Sequence, residues 1–173
     1  MENKKNAIKC PACQKEMTEI FVSSANMALD VCLDGCGGIY FDNREYKKVD
    51  EEHENIDEIL EAIKNKIFIK VDDTKERFCP ICGAKMVKSH ASVKHEVLVD
   101  DCYNCGGKFL DNGELQKIRA QYKTESERSE AMMKLAEDMF GEDIKKLEDA
   151  HKYNLSRRSF LKKVFDNMTQ NCF

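Results

Sequence analysis

Residues 102–115 read CYNCGGKFLDNGEL, and residues 32–46 read CLDGCGGIYFDNREY. Each stretch supplies two cysteines, a Gly-Gly pair, a short apolar run and then Asp-Asn-x-Glu. Upstream of each sits Cys-Pro-x-Cys, CPAC at 10–13 and CPIC at 79–82, and 23 positions separate both Cys13 from Cys36 and Cys82 from Cys105. An offset of 69 residues places Cys10 on Cys79, Met17 on Met86, Cys36 on Cys105, Asp42 on Asp111 and Glu45 on Glu114. The chain writes one module twice.

Two thiolates separated by two residues can turn back on one ion through a tight backbone knuckle, and a closed four-thiolate site takes one such pair from each of two knuckles. The spacings are C-x2-C-x18-C-x3-C in the first repeat and C-x2-C-x19-C-x2-C in the second, the latter within the usual zinc-ribbon range. The expected metal ligands are therefore Cys10, Cys13, Cys32 and Cys36 in one site and Cys79, Cys82, Cys102 and Cys105 in the other, with two Zn2+ per chain. Iron in a rubredoxin-like arrangement uses the same ligands, and any C-x2-C pair is open to thiol-redox chemistry; four aligned pairs favour metal, and zinc within that. Four thiolates leave no open position for a reactive water, so both sites are expected to be structural. Gly37 and Gly106, just after the final cysteines, allow the positive φ that a knuckle needs. The second knuckle of the first repeat holds one extra residue in Leu33-Asp34-Gly35, while the segment before it is one residue shorter. That site is expected to close around a wider loop, which Gly35 eases.

Composition limits the alternatives. Of 173 residues 35% are charged and none is tryptophan, which argues against a single large core and for two small modules. A metal explains how units of about forty residues fold without one. No apolar run approaches the roughly 20 residues of a membrane span, and MENKKNAIK has no apolar segment of a secretory signal. Paired thiolates suit a reducing compartment, so the expected location is cytoplasmic. The net charge of −4 divides as −2 over 1–43, −3 over 44–72, +1 over 73–122 and 0 over 123–173. Neither module carries the strongly basic balance of a nucleic-acid-binding domain.

Along the first repeat Thr18, Ile20 and Val22 alternate with Glu19 and Phe21, a turn follows at 23–26, and Met27, Leu29 and Val31 alternate again, which predicts a hairpin. Ile39–Phe41 reads as a third strand. Asp42 and Glu45 have the spacing of a capping box, so these carboxylates are read as a helix cap and not as a catalytic set. Ile56, Ile59, Leu60, Ile63 and Ile67 then predict a charged linker helix. Residues 68–71 are expected to form a short strand into the second repeat. There His95, Val97 and Val99 face one side of a second hairpin, and Glu96, Leu98 and Asp100 the other. Lys108–Leu110 is the third strand, Asp111 and Glu114 the cap, and Leu115 and Ile118 the start of a short helix. Beyond residue 124 two helical stripes follow, Met132, Leu135, Ala136, Met139, Phe140, Ile144 and Leu147, then Phe160, Leu161, Val164, Phe165 and Met168. Lys152, Arg157, Arg158, Lys162 and Lys163 make the last segment cationic.

The pattern CPxC, a hairpin ending in Asp and Cys, CxxCGG, an aromatic, Asp and Glu-Leu resembles a bacterial zinc-finger family named for its similarity to transcription factor IIB. The second repeat matches at Cys79, Pro80, Cys82, Asp100, Cys102, Cys105, Gly106, Gly107, Phe109, Asp111, Glu114 and Leu115. The first matches at Cys10, Pro11, Cys13, Asp30, Cys32, Cys36, Gly37, Gly38, Tyr40, Asp42 and Glu45, and departs in its longer knuckle and in Tyr46, which replaces the leucine. The resemblance covers about half of the chain and implies a zinc ribbon in each repeat.

His53, His90, His95 and His151 lie off knuckle spacing and are read as surface or hairpin residues. Cys172 is read as a free thiol. SRRSFLKK at 156–163 has the look of a twin-arginine export motif, but such motifs stand at an N-terminus before an apolar stretch, so the match is read as coincidence. The expected fold class is α+β, with a ribbon at 8–48, a helical linker at 49–72, a second ribbon at 73–122 and a helical region at 123–173. The expected function is that of a non-enzymatic zinc-binding protein that engages protein partners or regulates them. Nucleic-acid binding of a transcription-related kind is the alternative, and a thiol-redox or iron protein the second.

Overall fold

Alternation builds the sheet. The computed structural model of the chain describes residues 7–122 and 124–170, with side chains through Lys162. In Met27–Val31 (β2) Met27, Leu29 and Val31 are buried and the residues between them half-buried, as successive side chains on opposite faces require. Thr18–Val22 (β1) pairs antiparallel with β2 across a turn that ends in left-handed Asn26, and Ile39–Phe41 (β3) pairs with the other edge of β2. The second repeat supplies Val87–His90 (β4), Leu98–Asp101 (β5) and Lys108–Leu110 (β6) in the same order. The expected hairpin is shorter on its return arm: His95 turns at φ +57°, and the strand begins at Leu98.

β3 and β6 also pair with each other, antiparallel, with Tyr40 opposite Phe109 and Ile39 opposite Leu110. The sheet order is therefore β1-β2-β3-β6-β5-β4. Tyr40 and Phe109 are equivalent residues of the repeat, so the junction is pseudo-two-fold about that pair. It closes the strand edge each ribbon would otherwise expose. On one face Ile39, Phe41 and Leu110 join Leu29, Val99, Leu115 and Ile118. On the other, Tyr40 and Phe109 lie among the cysteines with Met17 and Met86. The apolar core thus spans both repeats, against the expectation drawn from the charge content. Edge pairing pools the apolar faces of the two modules.

The linker is less helical than its pattern predicts. Only Asp57–Ile63 (α1) is α-helical, Ile56 and Ile59 are buried in the core, and Ile67 is fully exposed beyond a left-handed turn at Asn65. Residues 68–71 form no strand. The Ile69 N–H instead donates to the Gly35 carbonyl of the widened knuckle at 3.0 Å, and the Phe68 ring packs against Gly37. Glu114–Arg119 (α2) buries Leu115 and Ile118, as expected.

The described residues to Arg128 form one compact unit and those from Ser129 a second. Glu125–Gln170 (α3) is one 46-residue helix that runs without a break through both predicted stripes, whereas the sequence pattern starts a separate segment near Ser156. Among the described residues no helix is long and apolar enough to cross a membrane. Cys172, and the side chains of Lys163, Val164, Phe165 and Met168, lie outside the described residues. The fold class is α+β: two β modules with helical additions.

Candidate metal centres

Four backbone knuckles present the eight sulfurs. In the CPxC knuckles the Cys10 N–H donates to Lys15 O and the Cys79 N–H to Ala84 O, both at 2.8 Å. In the partner knuckle of the second repeat Cys102 N–H donates to Gly107 O and Gly106 N–H to Cys102 O, each at 2.8 Å. The first repeat has the same pair, Cys32 N–H to Gly38 O at 2.9 Å and Gly37 N–H to Cys32 O at 3.0 Å. The extra residue at 33–35 is therefore absorbed inside the loop, and the closing bonds keep their positions. Gly37 and Gly106 take φ +74° and +80°, as the knuckle requires.

The structure brings together all eight predicted residues, in the two predicted quartets. The Sγ atoms of Cys10, Cys13, Cys32 and Cys36 all lie within 4.8 Å of one another, as do those of Cys79, Cys82, Cys102 and Cys105. Cys10–Cys36 is 3.4 Å, Cys13–Cys32 3.3 Å, Cys79–Cys105 3.5 Å and Cys82–Cys102 3.4 Å. A disulfide needs about 2.0 Å. Four sulfurs on a tetrahedral zinc with bonds of about 2.3 Å stand about 3.8 Å apart, so both shells have the size for that ion.

The electrostatics point the same way. Hydrogen bonds from Cys32 and Cys36, with burial, push the Cys10 thiol far above its ordinary range, while its bonds to Cys10 and Cys36 pull Cys32 far below. In the second cluster burial pushes Cys105 up to about 12, and hydrogen bonding from Asn104 draws Cys82 down to about 6. Four crowded sulfurs cannot all ionise unaided, and a central dication removes that conflict. Among the described residues these quartets are the groups that could hold a metal, and none of the four histidines joins them. His90 and His95 stack on each other with ring centroids 4.2 Å apart.

Around the sulfurs the two repeats diverge. The Tyr40 hydroxyl, from the first repeat, lies 3.2 Å from Cys79 Sγ of the second and 4.0 Å from Cys105 Sγ, placed to donate to the Cys79 sulfur when that is a thiolate. Its equivalent Phe109 packs over Gly38 and has no hydroxyl to return. Close packing demands glycine at both places: a Cβ on Gly107 would overlap the Tyr40 hydroxyl, and one on Gly38 the Phe109 ring. Buried Arg77 pairs with Asp100 at 2.6 Å and Asp111 at 2.9 Å, and its guanidinium lies 5.2 Å from the centre of the Phe109 ring. The first repeat has Ile8 at that position. Neither Tyr40 nor Arg77 was predicted as a site residue, although the Arg-for-Ile difference two residues before CPxC was visible in the aligned repeats.

The transcription factor zinc-finger family matches the chain twice, over residues 9–52 and 78–121, together just over half of its length. The chain belongs to that family. No curated protein and no solved structure matches it. Both sulfur quartets fall within the matched segments, and two four-cysteine clusters in two zinc-finger modules correspond to two Zn2+ per chain. Within the matched segments the β3–β6 junction makes one sheet of two zinc-finger modules and carries Tyr40 to the neighbouring site.

Capping is only half as expected. Glu45 and Glu114 reach back to the Asp42 and Asp111 N–H groups, each at 2.8 Å. The 3-10 turn Tyr46–Lys48 and α2, which follow them, begin without a side-chain cap, and Asp111 turns instead to Arg77.

Proposed function

We propose that the protein is a non-enzymatic cytoplasmic zinc protein in which the eight named cysteines are the ligands and both ions are structural, and that it acts as a protein-interaction or regulatory module. Residues 8–48 and 73–122 serve as the ribbons, 49–72 as their linker and 123–173 as the helical region. The observation that carries this reading is the closure of each quartet. Four sulfurs already surround one point, so a bound zinc keeps no position for substrate and function falls to the surface of the assembly.

Elemental analysis with native mass spectrometry on protein purified without added metal tests it. Two zinc per chain, with the eight clustered cysteines resisting alkylation until a chelator is added, is the expected result. Iron, or pairs of cysteines that oxidise reversibly while the fold persists, would replace the structural reading with a redox one.

A nucleic-acid role is favoured by one observation, the exposed cationic stretch of α3 that holds Lys152, Arg157, Arg158 and Lys162. Phosphate binding there weakens steeply with salt. Affinity for DNA or RNA that vanishes in a variant with these four residues made neutral would support it.

A further inference from the structure

α3 offers a surface that its own unit leaves uncovered: Met133, Phe140, Leu147 and Leu161 are 64%, 53%, 71% and 54% exposed. Together with Asn154 they stand at 133, 140, 147, 154 and 161, one residue in every seven without interruption. A helix of about 3.6 residues per turn keeps such a column against a neighbour only when the two wind around each other left-handedly. The pattern therefore specifies a helical partner of comparable length. The column three residues further on holds Ala136, Asp143, Ala150 and Arg157.

Charge identifies which helix. Residues 135–149 carry six acidic and two basic side chains, whereas 150–162 carry four basic and no acidic ones. A helix polarised in this way complements a reversed copy of itself. We infer that α3 pairs with α3 of a second copy of this chain as an antiparallel two-helix coiled coil, which makes the protein a homodimer.

The layers support that orientation. A two-fold axis between residues 148 and 149 sets Leu147 against the partner's Ala150 and Leu161 against the partner's Ala136, large against small. It sets Asn154 against the partner's Asp143, an amide against a carboxylate, and Phe140 against the partner's Arg157, a ring against a guanidinium. On the flanks Glu137 meets the partner's Arg158, and Met139 the partner's Phe160. Parallel pairing would set Asp143 on Asp143 and Arg157 on Arg157 and align halves of like charge, which costs stability at each layer. A single Asn in an otherwise apolar column also fixes register at some expense in affinity.

This deepens the interaction reading and rests on it in one respect, that the protein works through its surface and not through a metal site. Native mass spectrometry of the zinc-loaded full chain reads both at once, since dimer mass and zinc count are separate quantities in one spectrum. A dimer is expected, weakened by added salt; a monomer at micromolar concentration overturns the inference whatever the zinc count. Lysine cross-linking of mixed isotopically light and heavy chains then reports orientation. Light-to-heavy links of Lys134 to Lys162 and of Lys146 to Lys152 are expected. Links of Lys134 to Lys134, or Lys134–Lys162 links confined to chains of one isotope, overturn it. Phe140→Asp with Leu147→Asp should weaken dimerisation on the order of a hundredfold with the zinc count unchanged. An undiminished dimer would place the interface elsewhere and sink the proposal.

Discussion

Tyr40 and Phe109 face each other across β3 and β6, yet only Tyr40 carries a hydroxyl, and that hydroxyl reaches Cys79 Sγ of the other module. Burial, with the neighbouring Cys79 and Cys105, pushes this phenol well above its usual range, so the group keeps its proton and donates. A donor aimed at a metal-binding thiolate stabilises its charge and holds its orientation, and groups in that position commonly change metal affinity by about tenfold or more. Tyr40→Phe should therefore release the zinc of the second site roughly tenfold faster to a chromophoric chelator and leave the first site unaffected. Unchanged release at both sites would make the hydroxyl a bystander. At Gly107 the same packing forbids a methyl group, since its Cβ would overlap the Tyr40 hydroxyl. Gly107→Ala should lower stability by about 1–3 kcal/mol, as overpacking does, and a thermal melt reads that directly. The cysteines were legible from spacing alone, because a knuckle is a local object. Tyr40 was not, because its partner belongs to the other repeat.

At the scale of elements the capping motif shows how far a four-residue pattern can be trusted. Glu114 does accept the Asp111 N–H at 2.8 Å, as the motif predicts. Asp111 forms no cap and instead turns Oδ2 to buried Arg77 at 2.9 Å, a contact that the four residues do not record. The predicted strand at 68–71 failed for a related reason: an orphan carbonyl in the widened knuckle bound Ile69 first. Enclosure has a further consequence for Glu114, whose carboxyl burial pushes up from 4.5 to about 7. The folded protein then holds this proton more tightly than the unfolded chain does. Its contribution is fully present below pH 4.5 and is lost as pH rises through about 7. Glu114→Gln keeps the accepting oxygen and never ionises, so the variant should gain stability relative to the parent as pH climbs through that window. Acid-driven zinc loss affects both proteins alike, so the difference between their melting curves isolates the carboxyl. Curves that stay parallel would show that Glu114 does not titrate there.

For the whole molecule the decisive feature is the β3–β6 pairing, and the repeat pattern masked it. Two aligned quartets read as two independent modules because everything that defines each one lies within its own repeat. One cue was present: Ile39-Tyr40-Phe41 is apolar on both faces, and all three residues are buried. A strand of that kind is covered twice and does not stand at an open edge. The pairing makes the modules interdependent. β3 hangs from the first site through the knuckle at Cys36–Gly38, delivers Ile39 and Phe41 to the common core, and delivers Tyr40 to the second site. Removing the first ion should therefore disturb the second, although its own four ligands are untouched. Cys13→Ser with Cys36→Ser leaves too few thiolates for zinc at the first site. In that variant native mass spectrometry should show one zinc, released to chelator faster than the second-site zinc of the parent. Part of that loss runs through the Tyr40 hydroxyl, so Tyr40→Phe added to the double variant should cost less than it costs in the parent, the non-additivity expected of coupled residues. A remaining zinc as slow to leave as in the parent would mean that the junction joins two modules that fold and bind independently.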